Sequence, residues 1–389
     1  MDVLLNEEEK MLQASVRDFL EAECPTTLVR DMETDDRGYP SELWTKVVEL
    51  GWVGLALPEE YGGQGLPLSY LGIVLEELGR ALAPLPVHST TVPALTIASH
   101  GSVEQRQQIL PSVARGDLIL TWAFTERDAR FLPETIGVKA EIEGDEFVLS
   151  GDKLFVDNFN VSDKCLVVCR TEPESVGGQG LSLLLVDTDN AGVSETPLVT
   201  LAKDKQSHVT FDNVRVPKEN LVGELNQGWP IADEMIQRAT ILLCAQMVGA
   251  ARKDAEMAIE YAKSRVAFGR PIGSFQSIQH LCADIILWVD GGQLLTYEAL
   301  WKIDQGLDAR VEVSQAKAFC NEKCEAVVRS GQQIHGGIGF MMEFDLHLWF
   351  RRVSSWTMRL GTTFEHRAKV SQALMAHPGK VRLGMPLTT

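Results

Sequence analysis

The sequence lacks any apolar run long enough to span a bilayer, and it carries no excess of positive charge. Its 389 residues include 36 lysines and arginines against 54 aspartates and glutamates, a formal net charge of −18. A transmembrane helix needs roughly 20 consecutive apolar residues. Nucleic acids and anionic membranes attract basic surfaces. The sequence therefore argues against a membrane span, against a nucleic-acid partner and against binding to an anionic membrane surface.

Cysteine motifs and targeting signals are also missing. The seven cysteines are scattered, and the closest pairs, Cys165 with Cys169 and Cys320 with Cys324, lack Cys-x-x-Cys spacing. We interpret them as small core residues of a protein in a reducing compartment, and we expect no metal site. Residues 1–9 contain no basic region and no signal-like apolar stretch, so we expect a cytoplasmic location.

The hydrophobic periodicity changes twice along the chain, which predicts three successive domains. Helical patterns dominate residues 1–118, alternating strand patterns dominate residues 119–226, and the helical period returns over residues 227–389. A chain of this length also exceeds a typical single domain. The order predicts an α+β multi-domain protein with the strands in the middle.

Local signals place several elements within these domains. Asn6 and Glu9 have the spacing of a capping box. Gly144-Asp145 predicts a hairpin turn between two alternating segments. The last domain is predicted to be a bundle of long helices. These helices are predicted over residues 231–264, 277–303, 311–334 and 346–376.

Two glycine-containing segments far apart in the chain suggest a bound dinucleotide. Residues 265–276 read RVAFGRPIGSFQ, and residues 333–340 read QIHGGIGF. The arginines of the first segment suit a diphosphate, because a planar guanidinium pairs with phosphate oxygens in a fork. Gln276 and Gln333 suit a base or a ribose, and glycines let a backbone approach a ligand closely. Each segment alone is equally compatible with a helix end capped by glycine.

These segments belong to a set of motifs that resembles the acyl-CoA dehydrogenase family over nearly the whole chain. In order, the motifs are GWVGLALPEEYGG at 51–63, AFTE at 123–126, GDK at 151–153, RVAFG at 265–269 and QIHGG at 333–337. The resemblance implies an N-terminal α-helical domain, a central β-barrel-like domain and a C-terminal four-helix bundle. It also implies FAD at a junction between subunits, an acyl-CoA substrate, and an electron-transfer flavoprotein as electron acceptor.

The resemblance also assigns residues to the cofactor. It implies FAD contacts for Trp122, Phe124, Thr125, Phe155, Asp157, Arg265, Phe268, Gln276, Gln333, Gly336, Gly337 and Thr362. Asp157 departs from the family, which presents a hydroxyl near the flavin N5 at this position. A carboxylate there raises the cost of reducing the flavin unless it is protonated or turned away.

The general base is missing from both positions at which the family places it. By resemblance, Leu360 occupies one position and Ala239 occupies the other, and neither side chain accepts a proton. Glu365 and Glu234 are the nearby carboxylates. Each lies five residues from the expected position, so on a helix each points in another direction. We expect both glutamates to lie on solvated helix faces.

A second departure follows Glu126. Residues 127–133 read RDARFLP, so Phe131 lies at about the place of a diphosphate-binding serine, and we expect Arg130 to compensate electrostatically. This pattern is similar to a branch of the family that acts on bulky or unusual acyl-CoAs. In parts of that branch two different subunits pair, and only one carries the base.

Three functions remain open from the sequence. The first is an FAD-dependent acyl-CoA dehydrogenase that forms an α,β double bond by hydride transfer to the flavin N5, with its base displaced. The second is a non-catalytic partner subunit that completes the FAD site of a heteromeric enzyme. The third is a flavin monooxygenase or oxidase on the same fold. Since a shared FAD site needs more than one chain, we expect a homodimer, a homotetramer or a hetero-tetramer.

Overall fold

The computed structural model describes residues 4–376, and the chain divides into two compact units. We call them the helical unit and the sheet unit. The helical unit comprises Met1–Gln13, Leu75–Leu82 and Thr240–Thr389, and the sheet unit comprises Ala14–Val74 and Ala83–Ala239. Each unit combines segments that are separate in the chain, so this division does not test the three consecutive domains inferred from the sequence, which stay a prediction.

The first third of the chain is helical. Its helices are α1 (Glu7–Glu23), α2 (Thr26–Thr34), α3 (Ser41–Glu49), α4 (Leu68–Ala81), α5 (Val87–His100) and α6 (Val103–Ala114). The predicted capping box opens α1, where Asn6 Oδ1 accepts from Glu9 N at 2.9 Å and Glu9 Oε2 accepts from Asn6 N at 2.8 Å. Within residues 4–376, no helix has both the length and the apolar character required to cross a membrane.

The sheet unit contains an eight-stranded sheet. The strands are β1 (Leu120–Ala123), β2 (Lys139–Glu143), β3 (Glu146–Asp157), β4 (Lys164–Arg170), β5 (Leu181–Asp187), β6 (Val193–Pro197), β7 (Gln206–Pro217) and β8 (Leu221–Val222). Their order in the sheet is β6-β7-β3-β2-β4-β5-β8, with β1 parallel to β4. Gly144-Asp145 makes the predicted hairpin, with Ile142 opposite Phe147. Alternate residues of β3 and β7, such as Phe147 and Val209, fill the core.

Arg170, at the end of β4, organises two loops from inside the sheet unit. Its guanidinium is nearly buried. It donates hydrogen bonds to the carbonyl oxygens of Pro133, Ile136, Ser175, Gly177 and Gln179. No carboxylate pairs with it among the residues that the structure describes. It also donates to Ser175 Oγ at 2.7 Å, so the side chain fixes the loops through carbonyl dipoles and one hydroxyl.

The last part of the chain forms long helices. They are α7 (Gly228–Ser264), α8 (Gln276–Asp304), α9 (Arg310–His335), α10 (Leu346–Trp356) and α11 (Thr363–Ala376), with the short strands β9 (Val266–Ala267) and β10 (Arg270–Pro271) between α7 and α8. The predicted helix over 346–376 is wrong as a single element. It breaks after Trp356, and Leu360 and Gly361 take φ values of +57° and +98°, which end a helix.

Glycine lets two helices of the helical unit touch backbone to backbone. A Cβ on Gly249 of α7 would lie 1.8 Å from the Glu76 carbonyl oxygen of α4, and one on Gly79 would lie 2.2 Å from the Gln246 carbonyl oxygen. Any larger residue would separate the helices. Beside this crossing, the buried Glu76 carboxylate accepts a hydrogen bond from Tyr297 Oη at 2.8 Å.

The cysteines occupy the interior, as expected for small core residues. All seven are free thiols; six are buried, and Cys282 is half-buried. Burial raises the pKa of Cys165 well above the usual thiol range and that of Cys169 to about 12, so both stay protonated at neutral pH. Among residues 4–376, no group of three or more His, Cys, Asp or Glu side chains is arranged to hold a metal ion.

Candidate functional site

The ends of β1 and β3 lie side by side in the sheet unit. Leu154 N donates to the Thr125 carbonyl oxygen at 2.8 Å, and Thr121 Oγ1 donates to the Asp157 carbonyl oxygen at 2.6 Å. These bonds join the two segments that carry the predicted ring-contacting residues. The residues brought together here are Trp122, Phe124, Thr125, Phe155 and Asp157.

A buried ion pair fixes the backbone that follows β1. Lys153 is fully buried, and its Nζ donates to the Phe124 carbonyl oxygen at 2.9 Å and to Glu126 Oε1 at 2.8 Å. The Glu126 carboxylate also accepts from Gly137 N at 2.8 Å and from Val138 N at 3.1 Å. Burial lowers the pKa of Lys153, and the Glu126 carboxylate opposes that shift.

Lys153 and Glu126 belong to the GDK and AFTE motifs, but their pairing was not predicted from the sequence. One signal was present in the alternation of β3. Lys153 has the same odd parity as Phe147 and Leu149, which both point into the core. A lysine at an inward strand position requires an acidic or carbonyl partner, since an isolated buried ammonium is strongly unfavourable.

Of the aromatic residues at this site, Phe155 is the most open to solvent. Half of its side chain is exposed, at 50%, and its φ of +55° lies in the left-handed region. Such a backbone is uncommon for a bulky residue and concentrates at functional sites. Trp122 and Phe124 are buried instead, and the Phe124 ring stacks on Phe131 with centroids 5.2 Å apart.

The loop after Glu126 carries no free positive charge from Arg130. Its Nε lies 2.9 Å from Asp128 Oδ1, and its Nη2 also bonds the same carboxylate. This contact lowers the pKa of Asp128 to about 2. Arg130 is thus paired with Asp128, and Phe131 stacks on Phe124; the electrostatic compensation expected of Arg130 stays a prediction.

The two segments that are predicted to bind a dinucleotide, residues 265–276 and 333–340, lie near each other in the helical unit. Tyr261, near the end of α7, stacks on His335, at the end of α9, with ring centroids 4.3 Å apart. Arg265 follows shortly after Tyr261, and Gln333 is two residues before His335; both are exposed. Phe268, on the β9–β10 turn, is 94% exposed.

Space for a ligand is left beside these segments. At Gly336 and Gly337, an added Cβ would meet no atom of the described part of the chain within 4 Å. An open cleft of about 400 Å³ lies alongside, lined by Met257, Glu260, Tyr261, Ser264, His335 and Phe344. Burial lowers the pKa of His335, so its imidazole is neutral at neutral pH. Gln276 is the exposed first residue of α8.

The break between α10 and α11 holds Leu360 in a fixed position. Its side chain is buried, and its carbonyl oxygen accepts from His366 Nε2 at 2.8 Å. The next carbonyl oxygen, of Gly361, accepts from Asn321 Nδ2 at 3.1 Å. Burial lowers the pKa of His366 to about 3, so this imidazole is too weak a base to replace a glutamate.

Glu365 has a local structural role. Its Oε2 accepts from Thr362 N at 2.7 Å and from Thr362 Oγ1 at 2.8 Å, as in a capping box at the start of α11. The carboxylate is therefore directed at its own helix end. The predicted contact of Thr362 with the flavin diphosphate stays a prediction.

Ala239, which the resemblance places at the second base position, has no side-chain group that accepts a proton. Ala239 is fully buried, and its carbonyl oxygen lies 2.9 Å from His88 Nε2. Glu234, in the same unit, is bonded by His100 Nε2 at 2.8 Å and forms an ion pair with Arg238. The hydrogen bond from His100 is the main cause of its lowered pKa. A paired carboxylate with a lowered pKa is a poor general base.

Comparison with known proteins identifies the same family that the sequence motifs resemble. Family models match residues 6–117 (acyl-CoA dehydrogenase, N-terminal domain), 121–214 (middle domain) and 226–375 (C-terminal domain). The chain is 30% identical over 383 residues to 3-(aryl)acrylate reductase of Clostridium sporogenes, covering 96% of this chain and 99% of the relative.

Solved structures show the same fold. The ChsE4-ChsE5 complex from Mycobacterium tuberculosis aligns with a TM-score of 0.89 and 27% identity, over 97% of this chain and 100% of that one. Acyl-CoA dehydrogenase from Geobacillus kaustophilus aligns with a TM-score of 0.88 and 28% identity, over 95% and 98%. The predicted fold class is thereby confirmed, and the chain belongs to the acyl-CoA dehydrogenase family of FAD-containing flavoprotein oxidoreductases.

Proposed function

We propose that the protein is an FAD-dependent acyl-CoA dehydrogenase that desaturates an acyl-CoA thioester between its α and β carbons. One observation carries this proposal. The Phe124–Glu126 backbone is fixed by buried polar contacts directly beside the half-exposed Phe155, whose backbone is held in the left-handed region. A rigid strand end next to an open aromatic ring is suited to holding a planar ring system.

The residues of this chain fit FAD. Arg265 and Gln333 are exposed, and at Gly336 and Gly337 no atom of the residues that the structure describes fills the place of a side chain. A guanidinium suits the diphosphate, a carboxamide suits the adenosine, and open glycines admit a close approach. When bound, FAD supplies the hydride acceptor. Phe155 and Thr125 orient the ring, and the buried Trp122 and Phe124 help to exclude water from that side.

Proton removal is the step that these residues do not provide. Leu360 and Ala239 are apolar and buried, while Glu365 and Glu234 are engaged in a cap and in an ion pair. This observation favours a second candidate function, a partner subunit that completes the FAD site of a related, base-carrying chain. One of the similar solved structures is the ChsE4-ChsE5 complex, in which two differently named components associate. The electron acceptor we propose is an electron-transfer flavoprotein.

Purification of the chain alone and together with candidate partner chains separates these functions. One FAD per chain, with flavin bleaching by an acyl-CoA under anaerobic conditions, supports a self-sufficient dehydrogenase. Half an FAD per chain, or none without a co-purifying relative, supports the partner subunit. A rapid reaction of the reduced flavin with oxygen would instead indicate the oxidase or monooxygenase hypothesis. A protein that binds no FAD in any combination would contradict the proposal.

The Arg265→Ala variant is expected to bind FAD about 10- to 100-fold more weakly. It loses a charge-assisted contact of roughly 1.5–3 kcal/mol with the diphosphate. The measurement is a titration of FAD-free protein with FAD, followed by flavin fluorescence. Arg310→Ala serves as the control, because Arg310 is an exposed arginine of the same unit that pairs with Asp308. Equal affinities for Arg265→Ala and wild type would remove the diphosphate role.

We expect a dimer or a larger assembly at micromolar concentration. The helical unit exposes large apolar side chains, including Phe268 at 94% and Phe364 at 82%, and such exposure is typical of a contact surface. An FAD site that is built from residues of two chains would also be incomplete in a monomer. Sedimentation velocity measures the assembly, and a stable monomer with FAD bound would overturn this expectation.

A further inference from the structure

The segment after β1 is held in place by two charged side chains and one backbone hydrogen bond. The strand ends at Ala123, and the next three residues continue outside it. Lys153 Nζ donates to the Phe124 carbonyl oxygen at 2.9 Å and to Glu126 Oε1 at 2.8 Å. Leu154 N donates to the Thr125 carbonyl oxygen. The Lys153 ammonium is the group that binds both ends of the three-residue segment.

The same ion pair extends to a third element. The Glu126 carboxylate accepts from Gly137 N and Val138 N, which lie just before β2. Lys153 thus connects β3, the end of β1 and the approach to β2 through one charged network. All of its members lie in the sheet unit, and the ammonium is fully buried.

Stability alone does not explain why charges occupy this place. Taking an ammonium and a carboxylate out of water is costly, and a well-packed apolar pair is often as stable or more stable. The surrounding residues of the sheet core are apolar, as Phe147, Leu149 and Val167 illustrate. What an apolar pair cannot do is bind a specific carbonyl oxygen and hold the chain at one place.

We propose that Lys153 is a positioning residue for the cofactor. Its ammonium fixes the Phe124 carbonyl and the Glu126 carboxylate, and so sets the place at which Thr125, between them, meets the flavin ring. Lys153 itself does not touch the cofactor. This inference rests on the proposed function, because FAD is the ligand that Thr125 contacts in it.

The test compares FAD binding by Lys153→Met with that by Lys164→Met. Lys164 belongs to the same unit and is also paired with a carboxylate, that of Asp187, but it lies away from the 124–126 segment. Lys153→Met is expected to bind FAD about tenfold or more weakly, and to shift the visible absorption of the flavin that remains bound. Lys164→Met is expected to match wild type in both measurements.

A second variant keeps the test valid if Lys153→Met fails to fold, since that change leaves the largely buried Glu126 carboxylate without its cation. The double variant Lys153→Met/Glu126→Gln removes both charges and keeps a side-chain oxygen that accepts from the backbone N–H groups before β2. We expect it to fold, with circular dichroism and an unfolding midpoint close to those of wild type, and still to bind FAD weakly with an altered flavin spectrum. A purely structural role would change the unfolding midpoint and leave FAD affinity and spectrum unchanged in the folded protein.

The outcomes separate this inference from the proposed function. If wild type and Lys164→Met bind FAD and a folded Lys153 variant binds it equally well with the same spectrum, the positioning role is wrong. The proposed function then stands. If neither wild type nor Lys164→Met binds FAD, the proposed function is wrong, and the positioning role falls with it.

Discussion

The Leu360→Glu variant is expected to oxidise acyl-CoA substrates about 10²- to 10⁴-fold faster than the unmodified chain, because a positioned general base contributes that factor. Leu360 is held by contacts of the backbone, namely His366 with the Leu360 carbonyl and Asn321 with the Gly361 carbonyl. Changing the side chain leaves these contacts intact. The measurement is anaerobic flavin bleaching with a panel of acyl-CoAs.

Leu360→Gln is the matched control. Glutamine has the size of glutamate and bears the same strain at a φ of +57°, but it accepts no proton at neutral pH. Only the glutamate variant should gain activity. Fast bleaching by the unmodified chain alone would show that it holds another base, and Glu365 and Glu234 would be the first residues to replace. Folded, FAD-bound Leu360→Glu without any gain would contradict a catalytic place for this position.

The Asp254→Asn variant is expected to be more stable than wild type, by a margin that grows as the pH rises. Asp254 is fully buried on α7, and within residues 4–376 neither of its carboxylate oxygens has a hydrogen-bond partner. Its Oδ1 would lie 2.0 Å from a Cβ on Gly331 of α9. Burial raises the pKa of this carboxyl well above its usual range. The folded protein therefore keeps a proton that the unfolded chain has already lost.

The sign of the effect follows from that difference. Below the unfolded pKa of about 3.9, Asp254 is neutral in both states and costs nothing by titration. Above it, stability falls by about 1.4 kcal/mol per pH unit until the folded pKa is reached. Asparagine does not titrate and removes this slope. Unfolding midpoints of wild type, Asp254→Asn and the exposed, paired control Asp290→Asn should be measured from pH 5 to pH 8. Parallel curves for wild type and Asp254→Asn would contradict the prediction.

The sequence predicted those elements whose signal is local. The Asn6–Glu9 cap and the Gly144-Asp145 hairpin are confirmed, because a cap and a tight turn depend on a few adjacent residues. Helix α5 was missed. Residues from Val87 to Ile97 are all buried, and the polar residues among them do not collect on one side of the helix, so the sequence shows no amphipathic period there.

In the candidate site, too, the features with a local sequence signal were predicted and those that depend on tertiary contacts were not. The motif residues around Arg265 and Gln333 were recognisable, because they need only the right residue types at short spacing. The roles of Lys153 and His366 were not, since each depends on a carbonyl oxygen that folding brings near. The left-handed turn at Leu360 was also invisible, because a leucine disfavours that backbone and tertiary contacts impose it. These features depend on contacts between residues that come together only when the chain folds.

Arg170 binds its two loops without a carboxylate partner among the described residues. We therefore expect the conformation of these loops to depend little on pH and ionic strength. A guanidinium stays ionised at every ordinary pH, and carbonyl oxygens do not titrate. Ionic strength weakens exposed charge pairs such as Arg130–Asp128 by screening, but it has much less effect on a buried cation surrounded by oriented dipoles. Concentrated salt should therefore loosen the segment around Arg130 while the turns at Pro133–Ile136 and Ser175–Gln179 keep their shape.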